Sequence, residues 1–139
     1  MRLFLDTSVM LSASASSSGA SREIFRRSAA NGWVLITTPY AIEEVLRHLP
    51  DFPPAASADW TALRPHILIM DDVLTLELPA VFPITKDRPI LFGALAWADV
   101  LLTLDRADFE TLLGSSFYGM PVLTPGAFLQ REREAGRLL

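Results

Sequence analysis

The chain has 139 residues, of which half are hydrophobic and none is cysteine, and its formal net charge is −4. This is the length of one ordinary domain with a single core, and we expect residues 1–139 to form one domain. The lack of cysteine excludes disulfides and thiolate zinc sites, and the negative charge argues against a protein that coats nucleic acid by positive charge alone.

The N-terminal segment MRLFLDTSVML begins with a short apolar run that Asp6 interrupts. This pattern predicts a buried strand at 2–5 rather than a signal peptide. No stretch of about 18 uninterrupted apolar residues occurs, since the longest candidate, 89–104, contains Asp99. We therefore expect a soluble, cytoplasmic protein with no membrane partner.

Apolar stretches alternate with longer amphipathic ones, a pattern typical of βαβ units around a parallel sheet. The elements predicted for the first half are a strand at 2–5, a serine-rich mobile loop at 12–21, a helix at 22–30 closed by Asn31 and Gly32, a strand at 33–36 and a helix from Thr38-Pro39 to Leu49. The spacing of the apolar residues in the last helix predicts one buried face, formed by Ile42, Val45, Leu46 and Leu49.

The second half is less regular. Its predicted elements are a short helix at 59–63, a strand at 67–70, a helix at 72–78, a helix at 87–97, a strand buried on both faces at 100–104, a short helix at 105–113, a strand at 122–123 and a terminal helix from Pro125. Together with the first half, this order predicts an α/β domain around a central parallel sheet.

Carboxylates occupy equivalent places in this predicted fold. Asp6 directly follows the first strand, and Asp105 directly follows the strand at 100–104. Ligands of a parallel α/β sheet bind beyond the carboxyl ends of its strands, where Glu43, Glu44 and Asp87 would also lie as residues near helix starts. Unpaired carboxylates this close repel one another, so the cluster predicts a divalent cation. All-oxygen ligands favour Mg²⁺ or Mn²⁺ over Zn²⁺.

Such a site can hydrolyse phosphodiesters, because a bound ion lowers the pKa of a water molecule and stabilises the charge that develops on the phosphate. The same acids also have structural interpretations. Asp6 could cap the turn after its strand, Asp87 could cap the following helix, and Asp105 or Asp108 could cap the next one. The placement of Asp6 and Asp105 at two strand ends favours the metal site.

Four motifs in this order resemble the PIN domain family, the fold of the VapC-type toxin ribonucleases and related stand-alone proteins. They are LFLDTSVML at 3–11, TTPYAIEEVLRHL at 37–49, KDRPIL at 86–91 and ADVLLTLDRADF at 98–109. The resemblance implies a three-layer α/β/α sandwich with a central parallel sheet of four to five strands. It also implies an Mg²⁺- or Mn²⁺-dependent endoribonuclease, a homodimer and, for members that are toxins, an antitoxin protein as partner.

By this resemblance, the catalytic metal ligands are Asp6, Glu44, Asp87 and Asp105. Asp108 matches an acid that assists at the metal site in many members, and Ser8 and Thr103 match small polar residues that form hydrogen bonds around it. Glu43 remains an alternative to Glu44, because the helical wheel places it nearer the edge of the buried face. Asp99 precedes its strand, so we expect it at the wrong end of the sheet for metal.

Other polar residues have weaker assignments. Arginines near the predicted site are candidates for binding RNA phosphates, namely Arg22, Arg26, Arg88 and Arg106. Arg22 and Arg26 are four residues apart, so they would share a helix face and contact consecutive phosphates. His48 and His66 are expected far from the acids, as surface or packing residues. The three tryptophans are expected in the core or in an interface rather than stacked on bases.

Two other classes of function are compatible with parts of the sequence. A PIN-like domain without catalysis would bind RNA or protein, but such a module has no physical need for so many repelling charges. A phosphatase with an aspartate nucleophile usually has a second aspartate two residues after the first, where this chain has Ser8. A phospho-acceptor receiver domain needs adjacent acids after the first strand, and these are lacking as well.

Overall fold

The computed structural model describes residues 1–73 and 88–139. Within them, the strands are β1 (Arg2–Leu5), β2 (Val34–Thr37), β3 (Ile67–Ile69), β4 (Val100–Leu102), β5 (Ser116–Phe117) and β6 (Met120–Leu123). The α-helices are α1 (Thr7–Ala15), α2 (Ala20–Asn31), α3 (Pro39–His48), α4 (Pro54–Leu63), α5 (Arg88–Trp97) and α6 (Pro125–Glu134). Short 3₁₀ helices follow α3 at Leu49–Asp51 and α4 at Arg64–His66. The helix expected at 72–78 lies largely outside the described residues.

The strands form one mostly parallel sheet in the order β3-β2-β1-β4-β6-β5, in which only β5 is antiparallel to its neighbour. This confirms the α/β class and is compatible with three layers. The sheet has six strands in the described part of the chain, not four to five. The additional strand, β5, has two residues, which is too short to show a period of alternation in sequence.

The strand order places a topological switch point next to β1. From β1 the chain moves outward through β2 to β3, and it then returns to β4 on the other side of β1. Open α/β sheets bind ligands in the crevice that forms beyond the strand ends at such a point. The carboxyl ends of β1 and β4 therefore mark the expected position of a site.

The core explains why β1 and β4 lack alternation in sequence. Leu3, Phe4 and Leu5 of β1 are fully buried, and all three residues of β4 are buried as well. Helices cover both faces of central parallel strands, so side chains on both faces are apolar. Helix α5 approaches closely at Gly93, where a Cβ would lie 3.2 Å from Cγ2 of Thr38 and 3.4 Å from the Phe4 ring.

The prediction of a mobile loop at 12–21 is wrong. Helix α1 begins immediately after β1 and continues to Ala15, and only residues 16–19 separate it from α2. The apolar side chains of Val9, Met10 and Ala13 are fully buried. The serines are tolerated because the Ser14 hydroxyl donates a hydrogen bond to the Met10 carbonyl, at 2.9 Å. Burial of an apolar face has outweighed the low helix propensity of serine.

The helix expected at 105–113 is also wrong, since this segment is a series of turns. The Asp105 side chain accepts a hydrogen bond from the Asp108 amide at 2.9 Å, which is the geometry of a local turn. The Phe109 ring is fully buried and anchors the segment to the core.

In α3, Val45 and Leu49 are buried as expected, but Leu46 is exposed. Gly32 closes α2 in the left-handed conformation, as predicted.

Among the described residues, no helix has the length and apolar character needed to cross a membrane.

Candidate active site

A pocket lies at the carboxyl ends of β1 and β4. It has a volume of about 220 Å³ and is lined by Asp6, Thr7, Ser8, Leu11, Glu44, His48 and Asp105. At roughly 30 Å³ for each water molecule, such a space holds on the order of seven waters. This is enough for a hydrated cation beside a phosphate group.

Asp6 is held rigidly at the base of this pocket, with only 5% of its surface exposed. Its Oδ1 accepts a hydrogen bond from the Thr7 amide at 2.7 Å. Its Oδ2 accepts one from the Ser8 hydroxyl at 3.0 Å and one from the Thr103 hydroxyl at 2.7 Å. Asp6 therefore caps a helix, α1, where the sequence suggested a cap for a turn. The same side chain also faces the pocket.

The electrostatic environment makes the charged form of Asp6 unfavourable without a cation. Burial raises the pKa of this carboxyl from 3.8 to about 6, against the opposing effect of its three hydrogen bonds, and the negative charge of Glu44 raises it further. A divalent cation in the pocket would favour the carboxylate and reverse this shift.

Two hydroxyl groups connect Asp6 to the segment that carries Asp105. The Thr103 hydroxyl donates to Asp6 and accepts from the Asp105 amide at 3.0 Å. The Ser8 hydroxyl donates to Asp6 and accepts from the Leu104 amide at 3.0 Å. Each hydroxyl thus sets the distance between the end of β1 and the end of β4. Both residues lie where the sequence predicted supporting groups.

We expect Thr103→Val to lower activity at this site by about tenfold, because valine keeps the shape and removes the hydroxyl that orients Asp6 and supports the Asp105 amide. Thr103→Ser retains the hydroxyl and serves as the control. The measurement is the initial rate, for both variants, of the metal-dependent RNA cleavage that the motif resemblance implies. Equal rates for the valine and serine variants would show that this hydroxyl does not position the acids.

The structure distinguishes between the two glutamates of α3. Glu44 is half-buried and lines the pocket, whereas Glu43 is exposed and is not among the residues that line it. The Thr7 hydroxyl lies 3.4 Å from Oε1 of Glu44 and 3.4 Å from the Ala41 carbonyl. Sequence reasoning missed Thr7. The available signal was its position directly after the strand-end aspartate, at the start of a helix.

Asp105 lies in the pocket, whereas Asp108 lies outside it. Asp105 lines the pocket, and its Oδ1 accepts from the Asp108 amide. No donor in the described ranges 1–73 and 88–139 contacts Oδ2 of Asp105, so this oxygen is available to a ligand. Asp108 is half-buried and does not line the pocket. Its observed contribution is the amide that orients Asp105.

The donor set suits a hard divalent cation. Asp6, Glu44 and Asp105 supply carboxylate oxygens, which Mg²⁺ and Mn²⁺ prefer. Residues 74–87 are outside the described part, so the fourth predicted ligand, Asp87, is not placed. Within the described part, no group of three or more histidine, aspartate or glutamate side chains meets the distances for holding a metal ion. The fit therefore rests on the chemistry of the donors.

No protein-family model matches the chain, and no curated protein matches it. The likeness of its motifs to PIN domains therefore stays a prediction from the sequence. The structure adds that three residues far apart in the chain, Asp6, Glu44 and Asp105, line the same pocket.

The candidate arginines do not line the pocket. Arg22 donates to the Ala13 carbonyl at 2.6 Å and to Asp59 at 2.8 Å, so it connects α2 with α1 and α4. Arg26 donates to Glu23 and to the Ser17 carbonyl. The expected joint binding of consecutive phosphates by this pair gains no support, because local acceptors engage both side chains. Arg88 begins α5, and Arg106 is exposed in the turn after β4.

The remaining polar residues divide between the pocket and the amino end of the sheet. Asp99 accepts a hydrogen bond from the Arg2 amide at 2.7 Å, at the amino end of β1, so it lies away from the pocket as expected. His48 lines the pocket, contrary to expectation, because it follows Glu44 by one turn of α3. His66 precedes β3, at the amino end of the sheet. Trp33 and Trp60 are buried in the core.

Proposed function

We propose that this chain is an Mg²⁺- or Mn²⁺-dependent endoribonuclease with a PIN-like three-layer fold. The observation that carries the proposal is that Asp6, Glu44 and Asp105 line one pocket at the switch point between β1 and β4. A cap for α1 needs one acceptor oxygen, and it does not need two further carboxylates in the same pocket. A cation site does.

The contacts of Asp6 support a role in holding an ion. An ionised carboxylate has about four lone-pair positions, and the three donors around Asp6 occupy three of them. One position is left for a cation, in a direction fixed by the other three. The more open carboxylates of Glu44 and Asp105 can adjust to complete the oxygen set. Asp87 is proposed as the fourth ligand from its motif alone.

The chain's own residues would prepare the site for a phosphodiester. A bound ion would lower the pKa of a coordinated water and neutralise charge on the scissile phosphate. The three hydrogen bonds to Asp6 would hold its charge in place before the substrate arrives, so little reorganisation of this ligand is needed during the reaction. RNA as the substrate is supported by the motif resemblance, as are the homodimer and the antitoxin partner.

The test is incubation of the purified chain with RNA of mixed sequence in Mg²⁺, in Mn²⁺ and in EDTA, with single-stranded DNA of the same sequences in parallel. We expect cleavage of RNA in either ion and none in EDTA. Cleavage that continues in EDTA at the same rate would contradict a metal site. Cleavage of DNA but not of RNA would be consistent with the metal site and would contradict RNA as the substrate.

A further inference from the structure

The pocket has many acceptors for hydrogen bonds and few donors. Three of its lining side chains are carboxylates, and a phosphodiester is itself an anion. A cation can bind the scissile phosphate, but a polynucleotide also carries neighbouring phosphates along its backbone. At least one donor from the protein is therefore needed to hold the chain in register with the acids.

The hydroxyls that line the pocket already use their hydrogens within the protein. The Ser8 hydroxyl donates to Oδ2 of Asp6. The hydrogen of the Thr7 hydroxyl is directed to the Ala41 carbonyl or to Glu44. Leu11 has no polar group. Of the lining side chains in the described residues, His48 is thus the one with an N–H donor for an anionic ligand.

The position of His48 suits this task. It follows Glu44 by four residues on α3, so the two side chains lie on the same face about 6 Å apart along the helix axis. Half of its side chain is exposed, and its Nδ1 lies 3.6 Å from Oδ2 of Asp51 in the 3₁₀ helix that follows. This separation is too long for a direct hydrogen bond. In the imidazolium form both ring nitrogens carry hydrogen, so the negative charge of Asp51 favours a ring orientation with Nδ1 toward it and leaves Nε2 as a donor.

We propose that His48 binds a phosphate of the substrate by donating a hydrogen bond from Nε2 to a non-bridging oxygen. The phosphate is in a single-stranded polynucleotide whose scissile group lies at the acids, so the inference rests on the proposed function. In this arrangement Asp51 positions the imidazole and Glu44 lies one helix turn further into the site. No proton is transferred and no bond is broken by His48, because its part is to hold the substrate.

The test compares His48→Ala and His48→Gln in the full chain, with His66→Ala as the matched control at the opposite end of the sheet. Loss of a contact that is formed equally in the bound substrate and in the transition state raises KM and leaves kcat unchanged. We expect His48→Ala to raise KM for labelled RNA about ten- to a hundredfold, as for loss of a hydrogen bond to a charged group. His48→Gln keeps an N–H donor and should recover most of this loss. His66→Ala should match the wild type, and Tm should be the same in all four proteins.

Binding of the same RNA, measured by fluorescence anisotropy in an Asp6→Asn background, separates this inference from the proposed function. A wild-type chain that does not cleave RNA would refute the proposed function, and the anisotropy would then decide on His48 alone. Weaker binding after His48→Ala supports the inference. An unchanged KM and unchanged anisotropy would overturn it, and so would equal effects of His48→Ala and His66→Ala.

Discussion

Asp6→Asn is expected to lower metal-dependent RNA cleavage by about a thousandfold, because it removes the buried charge that would hold the ion. Asparagine has nearly the same shape, and its carbonyl oxygen can still accept the hydrogen bond from the Thr7 amide, so helix α1 keeps its cap. The change removes the charge and keeps this cap, although the Ser8 and Thr103 hydroxyls that donate to Oδ2 then face an amide NH2 group. The measurement is the initial rate on labelled RNA at saturating Mg²⁺, with circular dichroism as a check of folding.

Asp99→Asn is the matched control for this substitution. It makes the same chemical change next to the same strand, but Asp99 lies at the amino end of β1, where it accepts a hydrogen bond from the Arg2 amide. We expect the rate of this variant to stay within about twofold of the wild type. An Asp6→Asn variant that retains more than about a tenth of the wild-type rate would contradict a role of Asp6 as metal ligand.

Asp6 should lower the stability of the metal-free protein as pH rises from 4 to 7. Its pKa is raised from 3.8 to about 6 in the folded protein, mainly by burial. Between these values the folded state binds more protons than the unfolded state. The stabilisation is therefore complete below pH 3.8 and is lost as pH rises through 6. A shift of this size corresponds to about 3 kcal/mol in the free energy of unfolding.

Urea unfolding in EDTA at pH 4 and pH 7 measures this effect, with Asp6→Asn as the reference that lacks the titrating group. Subtracting the change in the variant removes the contribution of all other groups. Mn²⁺ at pH 7 should restore the stability of the wild type and not that of the variant, because an ion that binds only the folded state stabilises it. The same pH dependence in both proteins would show that burial does not raise the pKa of Asp6.

The sequence was sufficient to predict that Asp6, Glu44 and Asp105 lie at the same edge of the sheet, where they line one pocket. Asp6 follows a strand that is apolar from Leu3 to Leu5, and in a parallel sheet this places it at the same edge as the residues after β4. The helical wheel of α3 left Glu43 open as an alternative to Glu44, because it placed Glu43 nearer the edge of the buried face. The sequence motif favoured Glu44, and the structure places Glu44 in the pocket and Glu43 at the surface.

Features that depend on tertiary packing were not predictable. The composition of α1 suggests a loop, because serine has low helix propensity and the burial of Val9 and Met10 is visible only in three dimensions. Asp105 accepts a hydrogen bond from the amide three residues later, as it would if it capped a helix. The sequence alone therefore does not distinguish a turn from a helix at this place. The position of His48, in contrast, could have been predicted, because it follows Glu44 by four residues and therefore shares the same face of α3.

Calorimetric titration of Mn²⁺ into the metal-free protein at pH 8 tests most directly whether the carboxylates form an ion site. Wild-type protein and Asp99→Asn should show saturable binding of equal affinity, whereas Asp6→Asn should bind at least about tenfold more weakly. Binding that is absent from the wild type, or that has the same affinity in Asp6→Asn, would contradict the account.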